Sequence, residues 1–223
     1  MTLLDPVVRG VLAPLARLLY RPTVLGREQV PAKGPVILAS NHLSFVDSVV
    51  IPLLTPRPVV FLAKAEYFTG RGLKGRLTRA FFTAIGSVPV RRGANRSALR
   101  ALDAAVEVLA DGRMFGIYPE GTRSLDGRLH RGRTGVAWLA MTSRAPVLPV
   151  ALAGTEQILP VGRRWPRIRP VKLRFCPPLE IAHRHGEAAS ARARREVTDE
   201  IMRAIGELSG QERATGYHPA PVE

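Results

Sequence analysis

Short apolar runs with strand character alternate along the chain with stretches of helical periodicity, and this alternation narrows the fold more than any other feature. Pro35–Ser40 (PVILAS), Val59–Ala63 (VVFLA), Ser87–Val90, Arg113–Tyr118 (RMFGIY), Val147–Ala153 and Val171–Phe175 read as strands. Helical patterns cover Ser44–Leu54, Leu73–Ala84, Arg96–Ala110, Thr134–Thr142 and about Ala188–Leu208. A Gly- and Arg-rich loop runs from Pro119 to Arg133. Strands that alternate with helices, and that are themselves nearly all apolar, belong in a sheet covered on both faces. The expected fold is α/β: a single domain with a mostly parallel or mixed central sheet flanked by helices.

The 223 residues suit one such domain with a full core, and 46% apolar with 23% charged residues is a globular balance. No internal repeat or low-complexity linker divides the chain. Residues 22–208 are expected to form the domain, preceded by an N-terminal segment over 1–21 and followed by a frayed tail over 209–223. Cys176 is the single cysteine, so an internal disulfide is impossible, which fits a reducing compartment.

The charge speaks about partners. Lys and Arg number 33 against 18 acids, a formal net charge of +15. The excess is uneven: between Arg57 and Arg100 ten basic residues face one acid, Glu66. Such a surplus suits nucleic acid, an anionic membrane surface or a phosphorylated substrate. No stretch approaches the roughly 20 apolar residues that a spanning helix needs. The opening MTLLDPVVRGVLAPLARLLYRP is unlike a signal peptide, because Asp5 precedes its first basic residue, Arg9 and Arg17 interrupt it, and no small-residue cleavage site follows. Val7, Val8, Val11, Leu12, Leu15, Leu18 and Leu19 recur at helical spacing, which predicts an amphipathic helix with Pro14 as a kink. Such a helix can pack on the domain or lie in a bilayer surface, and the basic surplus favours the bilayer.

Polar clusters follow four of the strands. SNH follows PVILAS, Lys64 follows VVFLA, Arg91-Arg92 follows SVPV, and PEGTRS follows RMFGIY. Sites in open α/β sheets lie outside the carboxyl ends of strands, so four clusters at four strand ends predict one shared pocket. Within SNHLSFVD, His42 and Asp47 would not share a face of one helix, since five residues turn about 140°. They meet if His42 lies in the loop or first turn and Asp47 one turn into the helix. The carboxylate would then hold one ring nitrogen and leave the other as a base. Spacing alone favours a capping Asn-His pair and a solvated Asp. In YPEGTRS, Gly121 permits a tight turn, Thr122 and Arg123 suit a phosphate, and Glu120 suits an arginine or a substrate hydroxyl. An ordinary strand-to-loop turn accounts for the same residues. Lys64 and Arg92 would add positive charge, while Lys74, Arg76 and Arg79 read as a solvated or lipid-attracting face.

Taken together, these blocks resemble the glycerolipid acyltransferase family, the PlsC-like 1-acylglycerol-3-phosphate acyltransferases. The family's NHxxxxD is Asn41 through Asp47. Its Lys-x-Glu block, leading to a glycine and an arginine, is Lys64-Ala65-Glu66 through Gly86 to Arg92. Its FPEGTRS is Tyr118 through Ser124, and its proline-centred strand is Val147-Leu148-Pro149-Val150. Leu25 to Pro31 is similar to the family's lead-in, and the blocks occur in family order over roughly 22–155. Tyr118 stands where the family usually has Phe. Arg91 stands where it often has an acid, a change that bears on acceptor preference.

The resemblance implies transfer of a fatty acyl group from an acyl-CoA or acyl-carrier-protein thioester to the free hydroxyl of a 1-acyl-glycerol-3-phosphate. The product is phosphatidic acid. His42 would be the base and Asp47 its orienter. Glu120, Gly121, Thr122 and Arg123, with Arg92, Lys64 and Asn41, would hold the acceptor. No metal or bound cofactor is implied. The protein would sit peripherally on the cytoplasmic face of the cell membrane, on an anionic surface. Three rivals remain: another lysophospholipid or glycolipid acceptor, a thioesterase using water, and a nucleic-acid binder. The last is disfavoured by 6% aromatics and the absence of helix-turn-helix, zinc and RNP patterns. His183 and His185 lack the partners of a metal site. Cys176, Trp138 and Trp165 read as packing or interface residues.

Overall fold

The computed structural model describes residues 10, 13–90, 94–160, 163 and 165–218. Among these, seven strands form one sheet: β1 (Thr23–Leu25), β2 (Val36–Ser40), β3 (Val59–Lys64), β4 (Ser87–Val90), β5 (Met114–Ile117), β6 (Val147–Ala153) and β7 (Lys172–Phe175), in the spatial order β1-β7-β6-β2-β5-β3-β4. β6, β2, β5, β3 and β4 are parallel neighbours, whereas β7 pairs antiparallel with β6 and parallel with β1. The sheet is therefore mixed, with five strands in one direction and two reversed at one edge. β1 has three residues, too few for an alternation to show, and the sequence reading passes over it.

The helices are α1 (Ala13–Tyr20), α2 (Asp47–Leu54), α3 (Glu66–Thr69), α4 (Gly72–Ala84), α5 (Ala94–Ala110), α6 (Gly135–Ser143), α7 (Thr155–Ile158) and α8 (Ala191–Ser209). The pleat splits the core in two. Along β2, Ile37 and Ala39 face a layer built with α5, α6 and α8, while Val36 and Leu38 face one that includes Ile51 and Leu54 of α2. α6 is apolar nearly all round, and Val136, Ala137, Leu139, Ala140 and Met141 are buried.

α1 is the described part of the helix expected over 1–21, and its Leu15, Leu18 and Leu19 are exposed. The rest of that expectation lies outside the described residues. The tail expected from 209 onward is, through residue 218, held in place. The backbone N–H of Leu129 donates to Glu212 O at 2.9 Å, that of Ala214 to Leu129 O at 2.9 Å, and that of Arg131 to Gly216 O at 2.9 Å. Residues 210–218 thus form a strap along the 125–131 loop. Backbone pairing of this kind needs no apolar periodicity, so the sequence pattern does not announce it. Residues 219–223 lie outside the described part.

Arg57 is not part of the solvated basic surplus. Its guanidinium donates to Pro31 O at 2.6 Å, Gly34 O at 2.8 Å and Gly112 O at 3.3 Å, tying together the turns that precede β2 and β5. Partial burial lowers the pKa of this group. All three carbonyls lie at the amino ends of the parallel strands, opposite His42. Replacing Arg57 by Ala is expected to cost about 2 kcal/mol, read as a melting temperature lower by roughly 4–8 °C.

Candidate functional site

The carboxyl ends of β2 and β5 lie side by side, because Leu38 registers with Gly116 and Ala39 with Ile117. Asn41 and His42 leave β2 at the same level as Tyr118, Pro119 and Glu120 leave β5. Asn41 is buried. Its amide accepts from Leu152 N at 2.8 Å and donates to Leu152 O at 2.9 Å and to Gln211 Oε1 at 2.7 Å. The residue before the histidine is therefore fixed to β6 and to the strap.

His42 sits in the loop and Asp47 is the first residue of α2, so the helix starts three residues later than the sequence pattern places it. The reason is Asp47 itself. Its Oδ2 accepts the backbone N–H of Leu43 at 2.7 Å and of Ser44 at 2.8 Å, and pairs with His42 Nδ1 at 2.9 Å. Ser44 O in turn accepts from Asp47 N at 3.1 Å. These bonds close a turn where a helix would otherwise begin. Asp47 is fully buried, and the side chain of His42 is 15% exposed. With Nδ1 directed to the carboxylate, Nε2 has no hydrogen-bond partner among the described residues. An imidazole held at one nitrogen and open at the other is competent to take a proton from a hydroxyl.

The tyrosine that replaces the family's usual phenylalanine lies against this base. The Tyr118 ring stacks on the His42 ring with centroids 3.9 Å apart and planes 9° from parallel. On its other contact, Phe61 stacks on Tyr118 at 5.3 Å and 22°. Gly116 makes the arrangement possible, since a Cβ there would overlap the Phe61 ring. The Tyr118 hydroxyl meets Ser48 Oγ of α2 at 2.9 Å. Burial pushes the Tyr118 phenol well above its ordinary range, the charge of Asp47 adds to this, and the bond to Ser48 opposes it. The ring therefore stays neutral. Neither the stack nor Ser48 was legible in the sequence, because no short spacing encodes them.

Glu120 is almost fully buried, and its oxygens are taken by backbone rather than by an arginine. His42 N donates to Oε1 at 3.2 Å and His130 N to Oε2 at 2.9 Å. Ser124 N donates to His42 O at 2.7 Å. The EGTRS segment is thus stitched to the histidine loop. Gly121 has φ +79°, and a Cβ there would lie 2.9 Å from Arg133 Cδ. Thr122 is half-buried; Arg123 is exposed and, among the described residues, has no ion-pair partner. Lys64 ends β3 at this same edge, in register with Val90. Its side chain and all of Arg92 lie outside the described residues. Two of the four strand-end clusters are therefore shown to meet. Among the described residues no group of three or more His, Cys, Asp or Glu is placed to hold a metal.

The sequence pattern of the Acyltransferase family matches residues 21–153 of this geometry. The chain belongs to the acyltransferase family. It is 29% identical over 200 residues to a 1-acyl-sn-glycerol-3-phosphate acyltransferase of Chlamydomonas reinhardtii, covering 87% of this chain and 58% of that one. An enzyme of the same description from Borreliella burgdorferi is 32% identical over 133 residues, covering 60% of this chain and 51% of the relative. The crystal structure of the 1-acyl-sn-glycerophosphate (LPA) acyltransferase PlsC from Thermotoga maritima superposes with a TM-score of 0.66 and 26% identity, over 91% of this chain and 81% of that one. This chain thus spans little more than half the length of the two curated relatives. The matched residues 21–153 hold β1 through β6, and with them His42, Asp47 and the EGTR segment.

Two outcomes follow from the geometry. Tyr118→Phe keeps the ring and loses the Ser48 bond, so stability is expected to fall by about 1 kcal/mol, roughly 2–4 °C in melting temperature. Burial, the largest influence, raises the Glu120 carboxyl above its ordinary range, while the N–H groups of His130 and His42 and the facing imidazoles of His130 and His218 pull it down. A carboxyl raised in the fold binds its proton more tightly there than in the unfolded chain. Its favourable contribution is full below the ordinary carboxylate range and is lost as pH rises through the raised value. Urea melts from about pH 4 to about pH 8 should show this decline in the wild type and not in Glu120→Gln.

Proposed function

We propose that the protein transfers a fatty acyl group from an acyl-CoA or acyl-carrier-protein thioester to the free hydroxyl of 1-acyl-glycerol-3-phosphate, giving phosphatidic acid. The observation that carries this reading is the 2.9 Å contact of His42 Nδ1 with a buried Asp47, which leaves Nε2 open at the carboxyl edge of the sheet. His42 Nε2 takes the proton of the acceptor hydroxyl as its oxygen attacks the thioester carbonyl. Asp47 keeps the ring oriented and offsets the imidazolium charge. The tetrahedral intermediate collapses by breaking the carbon–sulfur bond, and the imidazolium returns its proton to the thiolate. The ester and a free thiol are the products, and the steps use no metal and no bound cofactor.

Arg123 is the acceptor's phosphate ligand in this reading, with Arg92 and Lys64 supplying further charge. It precedes Ser124, whose N–H is bound to the carbonyl of His42, so cation and base belong to one hydrogen-bonded unit. Glu120 and Asn41 act behind them by holding the backbone, and Gly121 and Thr122 shape the turn. With a lipid as acceptor, the same proposal puts the protein on an anionic membrane, peripheral or monotopic, at its cytoplasmic face. Among the described residues no helix is long and apolar enough to cross a membrane.

The test supplies lysophosphatidic acid and a labelled long-chain acyl-CoA in mild detergent. His42→Ala should lower labelled phosphatidic acid by at least about 10³-fold. Arg123→Ala should raise the KM for the acceptor about tenfold or more, with a smaller effect on the donor. A His42-independent product, or label released only as free fatty acid, defeats the reading.

A further inference from the structure

Two exposed apolar features, each set among cations, flank the carboxyl edge of the sheet. One is α4. Leu73 and Leu77 lie one turn apart and are 72% and 63% exposed, whereas Gly75 and Phe82 turn into the fold. Arg71, Lys74, Arg76 and Arg79 are exposed around this stripe, and the helix carries no acid. β3 ends at the carboxyl edge and α4 follows it after α3, so the Leu73 end of the helix lies at that edge. Phe45, in the histidine loop, meets Tyr67 and Phe82 edge-on at 6.3 Å each, which couples α4 to the turn that holds His42.

The other feature is the excursion between β6 and β7. Ala153 and Lys172 are register partners, so the described residues between them leave the sheet at the same edge as His42. Its base touches the site turn, where Ser44 Oγ donates to Leu159 O at 3.3 Å, and Arg167 N donates to Ile158 O at 2.8 Å. Trp165 is 83% exposed and Ile168 60% exposed, beside exposed Arg163, Arg167 and Arg169. From Gln157 to Leu179 the sequence contains no acid. The excursion lies beyond the family match at 21–153.

We propose that these two features are the membrane contact of the protein, with Leu73 and Leu77 on one side and Trp165 and Ile168 on the other inserted into an anionic bilayer. Aromatic and aliphatic side chains ringed by arginine and lysine suit the boundary between acyl chains and headgroups. There the rings and chains leave water while the cations meet lipid phosphate. With both features seated, the opening at His42 faces the lipid, and an acceptor reaches Nε2 without leaving the bilayer surface. The inference rests on the lipid acceptor proposed above. Its deciding readout, vesicle binding, needs no acyl donor, so the two readings can fail separately.

Co-sedimentation of the full chain uses vesicles of phosphatidylcholine alone and with about 30% phosphatidylglycerol. Wild type should bind the anionic vesicles and release as NaCl rises from about 0.1 to about 0.5 M. Leu73→Ser/Leu77→Ser and Trp165→Ser/Ile168→Ser should each weaken anionic-vesicle binding about tenfold, and all four together more than either pair. Activity on detergent-dispersed acceptor should stay within about twofold, as all four side chains are exposed and lie outside the His42–Asp47 unit. Unchanged vesicle binding in the fourfold variant overturns the proposal. So does unchanged binding with a large fall in melting temperature, which would mean that the chain itself covers these residues. Unchanged binding with conversion of a dimer to a monomer in light scattering overturns it in favour of contact between two copies.

Discussion

One buried carboxylate organises the site. Asp47 is fully buried, and its Oδ2 takes three donors from three successive residues: the His42 ring and the backbone N–H groups of Leu43 and Ser44. That choice sets where α2 begins, how the chain leaves β2, and which way the imidazole faces. Position at the first turn of a helix adds to the effect, because the helix dipole favours an anion there. Losing the carboxylate would free the ring and leave two buried N–H groups without an acceptor, so orientation of the base and integrity of the turn are one property.

Glu120 repeats the strategy on the neighbouring strand. It also spends its oxygens on backbone N–H groups, one from His42 and one from His130. The histidine is therefore gripped from both sides: its ring by Asp47, its amide by Glu120, its carbonyl by Ser124. Tyr118 closes the arrangement by covering one face of the imidazole and reaching Ser48 on α2. Of the same motif, Thr122 is half-buried and Arg123 exposed. The buried acid builds the turn and the cation stays at the surface, although the two lie three residues apart.

Much of this was readable before the fold was known. The β2, β3, β4 and β6 strands and helices α4, α5 and α6 fall within a few residues of their sequence patterns, because long apolar runs and helical periodicity record burial directly. The pairing of His42 with Asp47 was legible from the motif and from the requirement that one lie in a loop. What escaped is whatever depends on distant segments. β1 is too short to show alternation. Arg57 reads as surface charge and proves to be a clamp on three carbonyls. Glu120 reads as a ligand and proves to be a backbone acceptor, since only the fold brings His130 to it. The reversed edge of β7 and β1 follows from the excursion after β6, whose composition gives no direction.

The strap over residues 210–218 has a consequence in time as well as in space. Its backbone bonds to Leu129 and Arg131 brace the loop whose next residue toward the site, His130, is bound to Glu120. Gln211 also reaches Asn41, immediately before the histidine. During synthesis at about 5–20 residues per second, the β2 and β5 ends emerge several seconds before the strap does. The β2 and β5 ends can therefore meet while the loop beside them still lacks its brace, whereas α8, which completes one core layer, emerges just ahead of the strap. A late-made part of the described chain thus completes the turn around His42, so a chain clipped before residue 210 would hold that turn in an unfinished frame.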